Sequence, residues 1–205
     1  MSELPPGGVE VGDPPWDAWH PREVADRLRQ VATPWWVVGG WAVDLFRGEQ
    51  TRGHEDIEIA VPEARFAEIR AALSDYDVDV AGDDRIWPLD SPAFDLFHQT
   101  WFRDRHTGVY RLDVFREPHD GTVWICRRDE TIRAPFEQIV RRTTDGIPYL
   151  VPEVVLLFKA KAQRDKDEAD FAGVLPKLST VQRTWLREAL SRVHPGHPWL
   201  GRVDL

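Results

Sequence analysis

Between residues 35 and 73 the hydrophobic period of the chain changes again and again, and this alternation constrains the fold more than any other feature. Trp35-Trp36-Val37-Val38 is a short apolar run of strand type, and Gly39-Gly40 ends it. Residues 41–46 suit one or two turns of helix, closed by Gly48. Asp56-Ile57-Glu58-Ile59-Ala60-Val61 then alternates in period two, as a half-exposed strand does. Pro62 starts a helix with Phe66, Ile69 and Leu73 on one face. Strands and helices in alternation point to helices packed on a sheet.

The flanking regions extend this pattern. Pro21 takes a first helical position, and Val24, Leu28 and Val31 recur at helical spacing, giving a helix over 21–31 that Thr33-Pro34 stops. Residues 1–15 read as a flexible tail without the charged start and apolar core of a signal peptide. The middle is β-rich: 76–80 alternates, 97–103 and 109–115 flank a hairpin turn at His106-Thr107-Gly108, and 123–126 is another short strand. The last third is helical. Val151, Val154, Val155, Phe158 and Ala162 share one helical face, with Pro152 in the first turn, and helices over 166–178 and 180–193 follow. The expected organisation is a tail (1–15), an α/β domain (16–150) and a C-terminal helical subdomain (151–205).

Charge and composition narrow the partners. The 205 residues hold 26 Lys and Arg against 35 Asp and Glu, a net charge of −9. That balance argues against coating nucleic acid, which needs a basic surface, and against docking on anionic lipid. No apolar stretch approaches the roughly 20 residues of a membrane span. The one cysteine, Cys126, allows no internal disulfide; it fits a reducing cytoplasm and sits in an apolar run as a packing residue. Between Asp75 and Asp95 lie seven aspartates and one arginine, which suits either a solvated loop or an acidic pocket wall that attracts cations. Among the ten tryptophans, Trp19, Trp87 and Trp101 have polar neighbours and suit a pocket lining.

Three features carry chemistry. Gly39-Gly40, between a strand and a helix, lets backbone approach a ligand, and the helix start behind it favours an anion; alone, such a pair is only a turn. Asp56 and Glu58, two apart on a strand, point to one face. Like charges held so close cost energy unless a cation joins them, and hard divalent ions prefer oxygen ligands; the plain alternative is an acidic solvent face. Asp113, a lone acid in the alternating Arg111-Leu112-Asp113-Val114-Phe115, also faces away from the core. If its strand lies beside that of Asp56, the three carboxylates form one cluster able to hold two metal ions for an in-line phosphoryl or nucleotidyl transfer.

These residues resemble the nucleotidyltransferase superfamily, in the branch of aminoglycoside and lincosamide nucleotidyltransferases. The resemblance rests on Val37-Val38-Gly39-Gly40-Trp41-Ala42-Val43-Asp44, Gly48, and Thr51-Arg52-Gly53-His54-Glu55-Asp56-Ile57-Glu58-Ile59. Residues 146–153, Lys159-Ala160-Lys161-Ala162 and Lys166-Asp167-Glu168-Ala169-Asp170-Phe171 add to it, so that it spans about 35–178. It implies an α+β, polymerase-beta-like nucleotidyltransferase fold: a mixed sheet flanked by helices, then a small helical part. It implies an enzyme that transfers a nucleoside monophosphate, AMP from ATP or another NTP, to a hydroxyl of a small acceptor and releases pyrophosphate. Asp56, Glu58 and Asp113 would be the catalytic set and ligate Mg²⁺, two ions in all, with Asp113 able to take the acceptor proton. Gly39 and Gly40 would cradle the triphosphate, Arg52 and His54 reach phosphate oxygens, and Lys159 or Lys166 steady pyrophosphate. The second acid is Glu58 where many members have Asp, one methylene longer.

An aminoglycoside-like acceptor is cationic and suits an acidic pocket. Asp83, Asp84, Trp87, Trp101 and Glu153 are the candidates for its walls, and antibiotic resistance follows only by analogy. Two alternatives remain: a toxin–antitoxin type of enzyme that modifies a protein hydroxyl, and a member of the fold that binds a nucleotide or partner without catalysis. The sequence leaves monomer and homodimer open.

Overall fold

The structure is a computed structural model that describes residues 4–203; residues 1–3 of the expected tail lie outside the described residues. In chain order the elements begin β1 (Val9–Glu10), α1 (Pro21–Arg27), β2 (Trp36–Val37), α2 (Gly39–Arg47), β3 (Glu58–Pro62), α3 (Phe66–Ala72), β4 (Tyr76–Gly82), β5 (Arg85–Pro88), α4 (Ala93–Leu96), β6 (Gln99–Asp104) and β7 (Tyr110–Glu117). They continue β8 (His119–Asp120), β9 (Val123–Ile125), β10 (Arg133–Pro135), α5 (Phe136–Ile139), β11 (Val140–Arg142), β12 (Pro148–Leu150), α6 (Pro152–Lys159), α7 (Asp165–Val174), α8 (Thr180–Val193) and α9 (Leu200–Val203). The chain divides into two compact units, residues 1–35 with 54–117 and residues 36–53 with 118–205. This differs from the expected boundary at 150. The segment 36–53 belongs with residues far downstream of it, a grouping that no linear composition change marks.

In the first unit the strand order is β1-β5-β4-β6-β7-β3. Every pairing is antiparallel except β3 with β7, which is parallel and sets Glu58 opposite Asp113. Strand alternation sorts the two faces. One face carries Ile59, Val61, Val78, Val80, Phe102, Leu112 and Val114, buried with Phe66, Ile69 and Leu73. On the other, register aligns Glu58, Asp113, Trp101 and Asp79 in one row across four strands. The expected strand over 56–61 starts at Glu58, and it is not half-exposed: Ile59 to Pro62 are all buried. Such two-sided burial is common where parallel pairing holds a strand inside a sheet.

The expected flexible tail is laid down as a strap. β1 pairs with β5, and Val11 N–H donates to Asp84 O at 2.9 Å. Arg85 Nη1 donates to Gly8 O at 2.8 Å, Trp87 Nε1 to Pro5 O at 3.0 Å, and Tyr110 N–H to Pro15 O at 2.9 Å. Gly8 is needed here: a Cβ would stand 2.5 Å from the Trp87 ring.

The acidic stretch 75–95 is likewise no solvated loop. β4 and β5 form a hairpin whose two-residue turn, Asp83-Asp84, has φ of 46° and 57°. Both residues are left-handed, as a type I′ turn requires, and Asp tolerates that region better than most residues. Asp79 accepts from Arg103 Nε (3.1 Å) and Tyr110 OH (2.8 Å), and Asp77 from Arg105 Nε (3.0 Å).

In the second unit β2, β12 and β11 are neighbours, with β2–β12 parallel and β12–β11 antiparallel; β10, β9 and β8 form a separate three-stranded sheet. The apolar α6 packs against α2 and α8. Ser179 caps α8, accepting from Gln182 N–H while the Gln182 side chain accepts from Ser179 N–H. Cys126 is buried and forms no disulfide. Among the described residues no helix is long and apolar enough to cross a membrane.

Candidate active site

The first unit supplies a carboxylate pair. Asp113, read from its alternation as facing away from the core, does so, yet it is only 2% exposed. Burial pushes its carboxyl well above the usual range, and the charges of Glu58 and Asp56 push the same way. The Gln99 amide donates to Oδ2 and opposes the shift, as does the nearby Trp101 indole. Oδ1 is buried without a hydrogen-bond partner among the described residues. Asp56 lies ahead of β3 and is exposed, while Glu58 is half-buried at its first position. Strand register sets Glu58 opposite Asp113, and Asp56, just ahead of β3, lies near enough for its charge to act on Asp113. Among the described residues no three His, Cys, Asp or Glu side chains stand ready to hold a metal ion. The donor chemistry of the pair nonetheless fits a hard divalent cation: its donors are oxygens only, they repel each other, and a buried oxygen lacks a partner.

Beside the pair lies a cavity of about 440 Å³, also within the first unit. Gln99 and Trp101 line it together with Asp83, Asp84 and the strap residues Asp13 and Trp16. Trp101 stands edge-on to Trp16 and Tyr110 at centroid distances of 5.4 and 5.3 Å. Asp83, Asp84 and Trp101 of the expected acceptor wall are thus together. Trp87 is not with them: it is 1% exposed, stacked on Phe97 at 5.1 Å, and belongs to the core beneath the hairpin. Trp19 is also core, with the Arg27 guanidinium 4.2 Å over its ring. Glu153 belongs to the second unit and lines a different cavity, of about 450 Å³, with Arg141, Gln182 and Trp185. Burial raises its pKa, and Gln182 Nε2 donates to it at 2.8 Å.

The second unit holds the expected phosphate-binding residues. Gly39 takes φ 62°, a left-handed value that favours glycine, and begins α2 itself. No side chain caps that helix, so its first N–H groups point out from an uncapped start. Arg52 reaches Asp170 at 3.5 Å. Lys159, expected at the pyrophosphate, is instead locked between Asp167 and Asp170. Lys166 is exposed in the first turn of α7, and His54, in the first unit, is half-buried. Sequence reasoning passed over Gln99, Trp16 and Asp13, and it gave the Asp167–Asp170 pair no role beyond its place in the resemblance, although two acids three apart on a helix with apolar Phe171 and Val174 are a signal.

Residues 22–105 match the family model of aminoglycoside-2''-adenylyltransferase. Two relatives described as 2''-aminoglycoside nucleotidyltransferase, from Escherichia coli and Klebsiella pneumoniae, are 45% identical over 40 residues, 20% of this chain. The match spans 23% of the length of those relatives. The lincomycin-bound structure of the lincosamide antibiotic adenylyltransferase LnuA aligns with a TM-score of 0.53 at 21% identity, covering 75% of this chain and 92% of that one. ANT(2'')-Ia in complex with adenylyl-2''-tobramycin aligns with a TM-score of 0.57 at 15% identity, covering 83% and 95%. The chain has the nucleotidyltransferase fold. Its resemblance is to the aminoglycoside and lincosamide branch of nucleotidyltransferases, whose Gly-Gly and acid-x-acid segments fall inside the matched region. The strap and Asp113 lie outside that region.

Proposed function

We propose that this protein is an Mg²⁺-dependent nucleotidyltransferase that moves AMP from ATP to a hydroxyl of a small cationic acceptor of the aminoglycoside type. The observation that carries the reading is the Glu58–Asp113 pair, which Gln99 and Trp101 connect to an acidic, aromatic cavity. Glu58 and Asp113, with Asp56, are the residues that would hold Mg²⁺, which when bound offsets their repulsion and polarises phosphate oxygens. Asp113, as its carboxylate, accepts the proton of the acceptor hydroxyl. The hydroxyl oxygen attacks the α-phosphorus, and the bond to pyrophosphate breaks. Gln99 holds Asp113 Oδ2 and leaves Oδ1 for chemistry. Gly39, Gly40 and Arg52 bind the triphosphate, with His54 and Lys166 as further phosphate contacts. Asp13, Asp83 and Asp84 attract acceptor ammonium groups, and Trp16 and Trp101 cover the ring faces of the sugar. The single buried Cys126 accords with a cytoplasmic protein.

The test is to incubate the protein with Mg²⁺-ATP and, separately, tobramycin and lincomycin, and to follow acceptor mass and pyrophosphate. Adenylylated tobramycin supports the reading, and adenylylated lincomycin alone moves the acceptor class. Nucleotide binding without transfer to either compound, or label entering a protein of a cell lysate, overturns it in favour of a binding module or a protein-modifying enzyme.

A further inference from the structure

In the second unit, Lys159 is the centre of a buried ion-pair network. Its Nζ lies 2.8 Å from Asp167 Oδ1 and 2.9 Å from Asp170 Oδ2. Asp170 Oδ2 is in turn 3.5 Å from Arg52 Nη2, and Arg164 pairs with Asp167. The two carboxylates are almost fully buried, whereas the Arg52 side chain is 26% exposed. Three cations therefore face two anions, and of these cations Arg52 and Arg164 reach solvent. Arg52 Nη1 donates to Gly53 O at 3.1 Å, and its Nε is buried with no hydrogen-bond partner among the described residues. The loop that bears it is pinned: Thr51 Oγ1 donates to Asp44 Oδ1 at 2.6 Å and Gln50 Nε2 to Arg52 O at 2.9 Å. The buried Asp170 carboxylate draws one end of the Arg52 guanidinium by charge at 3.5 Å while Gly53 O holds Nη1, and the donors left over suit phosphate oxygens.

We infer that Asp170, backed by Lys159, is a positioning residue that fixes the orientation of Arg52 for phosphate. This rests on the assignment of Arg52 to the nucleotide. It makes a prediction opposite in sign to simple electrostatics, because removing a negative charge beside an anion site should tighten anion binding. With the full chain, calorimetric titration of Mg²⁺-ATP and of inorganic pyrophosphate is expected to show binding about tenfold weaker in Asp170→Asn, the scale of a lost charge-assisted contact. Asp170→Glu should lose less. Arg52→Met should lose about as much as Asp170→Asn, and the double variant no more than Arg52→Met alone, since both changes remove one interaction. Unchanged or tighter binding in Asp170→Asn, or additive losses in the double variant, overturns the inference. If Asp170→Asn does not fold, Asp170→Glu decides: it keeps a carboxylate for Lys159 but displaces it from Arg52, and wild-type affinity in that variant overturns the inference. A wild-type chain that binds neither probe overturns the nucleotidyltransferase reading itself and this inference with it.

Discussion

Asp113 is held in a conflict that the rest of its row explains. It is buried beside Glu58, so its proton is bound more tightly in the folded chain than in the unfolded one. The contribution of such a group to stability is full below its unfolded pKa, near 4, and is lost as pH rises through the raised folded value. Without metal, Asp113→Asn removes that loss while keeping shape. Its melting temperature at pH 7 should equal or exceed wild type, by roughly 2–4 °C for each kcal/mol relieved; a clear fall would mean that the charge is structurally required. Asp167 has the opposite sign. Burial alone would raise it, but hydrogen bonds from Arg164 and Lys159 hold it at about 2. Its contribution is present above about pH 4 and is lost as pH falls towards 2, roughly 1–2 kcal/mol after screening. Acid unfolding followed by circular dichroism should show that loss in wild type and a flatter profile in Asp167→Asn.

The β4–β5 hairpin joins stability to recognition. Asp84 sits in a left-handed conformation that glycine adopts without cost. Asp84→Gly should raise the melting temperature by a few degrees, corresponding to about 0.5–1 kcal/mol, and should also weaken binding of tobramycin. A gain in stability with affinity unchanged would remove Asp84 from the acceptor wall. Arg116 ties β7 to α4: its guanidinium is buried, 3.5 Å over the Phe94 ring, and donates to the carbonyls of Phe94 and Phe97. Arg116→Ala strands those carbonyls and should cost about 2–4 kcal/mol in denaturant unfolding.

These elements also show what the sequence reveals. The α8 boundaries, 180 and 193, are legible because Ser179 and Gln182 make a cap and apolar spacing runs unbroken to Val193. The hairpin of β6 and β7 is legible by period two around Gly108. The strap is not: a two-residue strand among prolines and glycines takes its order from Trp87, Arg85 and Tyr110, more than 70 residues away. Nor is the role of Trp87, since polar neighbours in sequence say nothing of a side chain that turns inward onto Phe97. For the candidate site, Asp56, Glu58 and Asp113 are picked out by alternation and resemblance. Their actual burial and the Gln99 contact depend on strand register, which local pattern leaves open.

At the scale of the molecule, the acids behind the net charge of −9 fall, among the described residues, into paired and unpaired groups. Asp77 and Asp79 are matched by Arg103, Arg105 and Tyr110, and Asp167 and Asp170 by Lys159. Asp13, Asp83 and Asp84 line the cavity, and there the excess has a use for a cationic acceptor. Screening should therefore raise the KM for tobramycin several-fold between low and roughly 0.5 M salt; a KM independent of salt would deny the cavity its electrostatic part. The central claim is that Asp113 acts on the acceptor hydroxyl opposite Glu58. It is tested most directly by single-turnover pyrophosphate release from Mg²⁺-ATP and tobramycin in wild type and Asp113→Asn, with melting curves on the same samples. The account predicts release in wild type, a loss of about a thousandfold or more in the variant, in line with general-base and metal-ligand contributions, and an unreduced melting temperature. Near-normal turnover in a folded Asp113→Asn would contradict it.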